Sequence, residues 1–367
     1  MLPALPCKHI RGAALAILAT LSIGLHACSS STAPTRPDAP DGSGEPSPEP
    51  GGSSLDSVGL LEDFSSRQVF PSNNWWNLDI SGAPVDPQSQ AMIDWISGRT
   101  PQNPTATRRV HPDFGPPPYG IPYIGVGAAE PLQPVTFSPY GGESDPGAPN
   151  RPPGYPIPDV ARTQPNYIEG GVAGGGTSGD RHLILIDRDR WLLFETWATR
   201  WDPNDVRWEA GSGATFDLAS NARRPDGWTS ADAAGLAIFP GLVRRDEVVA
   251  PAPIRHAYRV TVRATNGSVW PASHEAGNTV GAPPMGARLR LKPSVNIDGY
   301  PAEVRKVFEA MKTYGLIVAD NGTDMYVSGT MDPGWDNDVL NPAFHSLDAD
   351  DFEVIQLGWG ANITGVP

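Results

Sequence analysis

Residues 182–187 read HLILID, apolar on both faces of an extended chain, and this short run decides the fold class. A strand on a protein surface alternates polar and apolar side chains, whereas one that is apolar throughout is covered on both sides. Arg188-Asp189 follows as a turn signal, and Trp191–Trp197 (WLLFETW) returns as the hairpin partner. Further along, Ile254, His256, Tyr258, Val260 and Val262 alternate with Arg255, Ala257, Arg259 and Thr261. Ala287, Leu289 and Leu291 alternate in the same way with Arg288, Arg290 and Lys292. That period of two is the pattern of a half-buried strand. Leu316–Ala319 and Met325–Ser328 flank Asp320-Asn321-Gly322-Thr323-Asp324, which predicts a hairpin closed on Asn-Gly.

Helices are few. Asp86 is placed to cap one that starts at Pro87 and ends near Gly98, with Met92, Ile93 and Ile96 on one side. Pro301–Tyr314 has proline at its start, Val304, Val307, Phe308 and Met311 at helical spacing, Lys312 in the last turn and Gly315 as a stop. Many short strands with two packed helices predict a mainly β fold: a single β-sandwich or jelly-roll-like domain over residues 55–367. Long glycine- and proline-rich loops such as Tyr140–Gly179 would line one face.

The chain begins differently. Lys8 and Arg11 precede an apolar run from Ala13 to Leu25, and Leu25-His26-Ala27-Cys28 closes it. That layout is a secretory signal peptide, and cysteine at the cleavage point resembles the bacterial lipoprotein box. Residues 1–28 are therefore expected to be the signal, with Cys28 the lipidated first residue of the mature chain. Ser29, where an aspartate would resemble the inner-membrane retention signal, favours the outer membrane or cell surface. Residues 29–54 (SSSTAPTRPDAPDGSGEPSPEPGGSS) carry no large apolar side chain and cannot offset the entropy of ordering. As a flexible tether they would hold the body roughly 30 Å from the bilayer.

Cleavage would remove Lys8 and Arg11, leaving 25 basic against 41 acidic residues, a net charge of −16. Such a field repels phosphate backbones, which argues against nucleic acid as a partner. It also disfavours strongly anionic polysaccharides unless basic groups cluster locally. Only Cys7 and Cys28 are cysteines, so the mature body has no disulfide and must be held by burial. All eleven tryptophans lie between Trp75 and Trp359, which argues that the glycine- and proline-rich body is folded.

No H-E-x-x-H helix, C-x-x-C pair, P-loop or dinucleotide fingerprint is present, and neither Ser178 nor Ser212 sits in a G-x-S-x-G elbow. The strongest catalytic candidate is Glu195. On an ideal strand it shares a face with Trp191, Leu193 and Trp197, so its carboxyl is desolvated, which suits a general acid. Indole rings also stack on sugars, and glycoside hydrolysis needs a second carboxylate across the bond. Asp217, Asp232 and Glu247 lie in the motif-dense middle and are the candidates for base or nucleophile. Trp191, Trp197, Trp228, Arg181, His182 and His256 are the candidate substrate-binding residues. The structural alternative pairs Glu195 with Arg200 or Arg207 inside a sheet. His182, His256 and His274 with Asp180 could hold zinc, but they lack H-x-H or H-x-x-x-H spacing, so no cofactor or metal site is expected. Thr229 and Asp232 fit a capping box, Asp332, Asp336 and Asp338 a solvated acidic loop, and Trp75-Trp76 a pair of core anchors.

From Phe70 onward the chain resembles a group of secreted bacterial proteins. The resemblance is carried by FPSNNWWNLDIS at Phe70, SGDRHLILIDRD at Ser178, GWTSADAAGLAIFPGLVRRDEV at Gly227, IRHAYRVTV at Ile254 and PPMGARLRLK at Pro283. It implies one folded domain and brings no activity or catalytic residue with it. The expected function is that of a membrane-tethered lipoprotein acting on extracellular carbohydrate, a glycoside hydrolase with paired carboxylates. The alternative is a non-catalytic glycan-binding or envelope lipoprotein.

Overall fold

In the computed structural model, which describes residues 58–363, all five residues of Leu183–Asp187 are buried. This strand pairs antiparallel with Leu192–Trp197, Ile184 opposite Glu195. The expected signal peptide, lipidated Cys28 and tether lie outside the described residues.

With strands numbered in chain order, these two are β5 and β6. Their sheet runs β1 (Gly59–Leu60), β3 (Tyr123–Val126), β5, β6, β9 (Ser212–Asp217). A second sheet runs β14 (Phe352–Val354), β11 (Arg288–Leu291), β12 (Leu316–Asn321), β10 (Tyr258–Val262), β13 (Met325–Met331), β2 (Val110–Gly115). The third is β4 (Val135–Phe137), β8 (Arg207–Ala210), β7 (Arg200–Asp202). All three mix parallel and antiparallel pairs. Strand accounts for 26% and helix for 16%, a mainly β fold with few helices.

β5 separates two cores. Ile184 and Ile186 join one that includes Val260, Leu289, Phe308 and Val318. Leu183 and Leu185 join another with Tyr155, Phe194 and Trp208. Each such side chain contributes roughly 1.5–3 kcal/mol of burial. Among the helices α1 (Ser89–Ser97), α2 (Asp159–Thr163), α3 (Arg245–Val249), α4 (Ala302–Thr313) and α5 (Asn337–Phe344), α4 buries Val304, Val307, Phe308 and Met311, as their spacing predicts. Gly315 ends it with φ 78°, and a Cβ there would lie 2.4 Å from the Leu289 carbonyl oxygen. Trp75 and Trp76 are core residues.

Four local expectations are corrected. The stretch 316–328 is no hairpin: β10 lies between β12 and β13, parallel to the first and antiparallel to the second. The expected strand 254–262 begins only at Tyr258, and His256 lies in the preceding loop. Arg288 and Arg290 are buried, their guanidinium groups donating to the carbonyls of Tyr314, Leu78, Ile80, Ser81 and Ala83. Thr229–Asp232 caps no helix; its hydroxyls hold a buried loop.

Candidate functional site

Two adjoining cavities of about 240 and 230 Å³ form a cleft, and Asp180, Asp320 and Asn321 line both. The strands set its walls. Asp113 comes from β2, Arg259 from β10, Asp320 from β12 and Tyr326 from β13, while His182 stands one residue before β5.

Arg259, 4% exposed, organises the centre. Its Nε and Nη2 donate to Asp232 Oδ1 at 3.2 and 2.5 Å, and Nη1 donates to Ser328 Oγ at 2.7 Å. The same Nη2 is 3.7 Å from Asp320 Oδ2. Burial raises the Asp232 carboxyl to about 6 even against this guanidinium. Burial also raises Asp320, while Arg259 pulls it the other way. Asp180 is exposed and accepts from Trp197 Nε1 at 3.2 Å. Trp197 in turn meets Tyr140 edge-on at 6.2 Å, and both rings line the second cavity. Tyr326 in the first cavity stacks on His111 at 4.8 Å.

His182 is buried between two acceptors, Glu169 Oε2 at 2.7 Å from Nδ1 and the Ala231 carbonyl at 3.2 Å from Nε2. Both ring nitrogens therefore carry protons. Burial opposes the charge, but Glu169 outweighs it and holds the histidine at about 9. The cleft thus contains one imidazolium–carboxylate pair, one guanidinium–carboxylate pair, and carboxylates left over at Asp113, Asp180 and Asp320.

Of the expected site residues, His182, Asp232 and Trp197 meet here with Asp180, whereas the others do not. Glu195 is fully buried and accepts the amides of Ile238, at 2.8 Å, and Phe239, at 2.8 Å. Burial raises its carboxyl to about 7. It lines neither cavity and pairs with neither Arg200 nor Arg207, which hold Glu209. Trp191 stands in the turn before β6 with φ 54°, under the Arg67 guanidinium. Asp217 is exposed at the end of β9 and accepts from the Ala219 amide. Arg181 donates to Gly179, and Trp228 packs near Arg224, both outside the cleft lining. Glu247 and His256 pair at 2.8 Å in a separate cavity. His274 lines the cleft, but its Nδ1 donates to the Ala233 carbonyl, and His256 is elsewhere, so the three histidines form no metal cluster. Asp113, Glu169, Arg259 and Asp320 were not anticipated. A charged residue inside an otherwise apolar strand, Arg259 among Tyr258, Val260 and Val262, was the available signal.

Comparison with known proteins returns nothing similar: no family model, curated protein or solved structure matches the chain significantly.

The buried groups make stability depend on pH with a definite sign. Glu195, raised from 4.5 to about 7, binds a proton in the folded state that the unfolded chain has released. Stability falls from pH 4.5 toward 7 on its account, by up to about 3 kcal/mol. Asp232 adds to the same window. His182, raised from 6.5 to about 9, stabilises fully below 6.5 and loses that contribution as pH rises to about 9. Urea midpoints are expected to decline from pH 5 to 9. The lower part should flatten in Glu195→Gln and the upper part in His182→Asn. Parallel profiles in all three proteins would refute the assignment.

Proposed function

We propose that this protein is a glycoside hydrolase acting on extracellular carbohydrate, tethered to the cell envelope through lipid on Cys28, with Asp180 and Asp320 as its paired carboxylates. One observation carries the reading: both residues line both cavities, so a polymer laid along the cleft meets both carboxylates. Asp320, whose carboxyl burial pushes upward from its ordinary value, is the general acid. Asp180, exposed and oriented by the Trp197 indole, is the base or nucleophile. Trp197, Tyr140 and Tyr326 offer ring faces to sugars. Asp232 is a positioning residue, committed to Arg259. The surplus of carboxylates favours neutral or amino sugars over anionic ones. The finer fold reading, a β-sandwich, is supported by one apolar core that takes residues from both large sheets.

No helix among the described residues is long and apolar enough to cross a membrane. In this proposal the N-terminal lipid on Cys28 is the means of attachment. The test is reducing-end release by the purified protein on a panel of neutral, amino and anionic polysaccharides, with and without chelator. Chelator-insensitive release from a neutral or amino polymer is expected. Release abolished by chelator would overturn the paired-carboxylate mechanism. A second reading, glycan binding without turnover, is favoured by the Trp197 and Tyr140 rings that line the second cavity. Retained binding with no release across the panel would select it.

A further inference from the structure

A third cavity, of about 330 Å³, is lined by Arg67, Arg244, Arg255 and His256, with Glu247 the only acidic side chain on its wall. That is a local reversal of sign in a chain with 41 acidic and 27 basic residues. The charges do not all cancel. Arg244 is buried and committed: its Nε donates to Asp246 at 3.2 Å and its Nη2 lies 3.0 Å from Glu247. Glu247 is engaged a second time by His256 Nε2 at 2.8 Å, whose Nδ1 donates to the Ala257 carbonyl. The acid is therefore used up inside the wall, and Arg67 and Arg255 remain.

Arg67 is exposed but fixed, its guanidinium 3.5 Å from the centre of the Trp191 ring and its Nη1 donating to the Arg188 carbonyl at 2.7 Å. Arg255 is exposed and makes no hydrogen bond or ion pair among the described residues. The wall between them is held by Asn77, whose amide nitrogen ties down the carbonyls of Val69, Phe70 and Pro71. Two guanidinium groups at the mouth of a rigid, concave pocket, backed by a buried third, are suited to an oxyanion, which takes paired N–H donors on two oxygens.

The geometry points to a second ligand site, distinct from the cleft, that binds a small oxyanion (a carboxylate or a phosphate) between Arg67 and Arg255. A uronic-acid unit and a phosphate group are the two sources of that chemistry. The site does not depend on the cleft being catalytic.

Calorimetric titration of the full protein in low-salt buffer, with inorganic phosphate and separately with glucuronate, tests it. Saturable binding of at least one is expected, and which one binds identifies the source. In Arg255→Ala, a change that removes no internal hydrogen bond or ion pair, the dissociation constant should rise about tenfold. Arg263→Ala, an arginine stacked on Trp95 elsewhere, should shift it less than about twofold. Failure of the wild-type protein to bind either anion would overturn the site. So would equal binding by wild type and Arg255→Ala, because the anion would then be held elsewhere.

Discussion

Arg259→Met is expected to destabilise the protein by roughly 3–5 kcal/mol, because it leaves a buried carboxylate with no counter-charge. Asp232 is 1% exposed, and its principal partner is that guanidinium. Loss of the arginine also frees Ser328 Oγ from its donor and removes the positive charge nearest Asp320. Asp232→Leu combined with Arg259→Met should recover much of the loss, since an apolar pair of similar volume leaves no isolated charge behind. Urea unfolding of the single and double variants measures both effects. A single variant within about 1 kcal/mol of wild type would mean that water reaches Asp232, contrary to its burial.

The second large effect concerns turnover. Asp320→Asn and Asp180→Asn are each expected to lower kcat by about 10²–10⁴-fold on whichever polysaccharide is cleaved, with KM little changed. Asparagine keeps the shape and the local hydrogen bonds, including acceptance from the Asn321 amide in the case of Asp320. Glu195→Gln should leave kcat within a few-fold, because Glu195 lines neither cavity. The opposite ranking, with Glu195→Gln inactive and both aspartate variants active, would move the chemistry away from the cleft.

Parts of this arrangement were legible in the sequence, and the reasons differ. The β5–β6 hairpin could be read because a continuous apolar run, a charged turn and a second apolar run are all local signals. The helix over 302–313 could be read because both of its ends carry stop residues. Asn321-Gly322 misled because a turn signal describes only its neighbours, and the insertion of β10 between the flanking strands is a pairing with residues far upstream. Alternation presumes one wet face and so predicts a solvent-facing Arg259, whereas β10 has four buried residues out of five. Asp320 was hidden inside the same turn signal. For Glu195 the carboxyl is raised, the direction expected, but its complete burial is responsible, outweighing the Ile238 and Phe239 amides that pull it down, and not a pair of tryptophans.

The strand order of the large sheet also governs when the molecule can form. Among the described residues, 110–115 pair with 325–331 alone, and 288–291 pair with 316–317 and 352–354. No N-terminal fragment can complete this sheet, so nearly the whole chain must be present before its central strands are covered. Such dependence on contacts distant in sequence gives slow folding. In the export proposed for this chain, that delay would keep the leading part from collapsing before the trailing part had crossed.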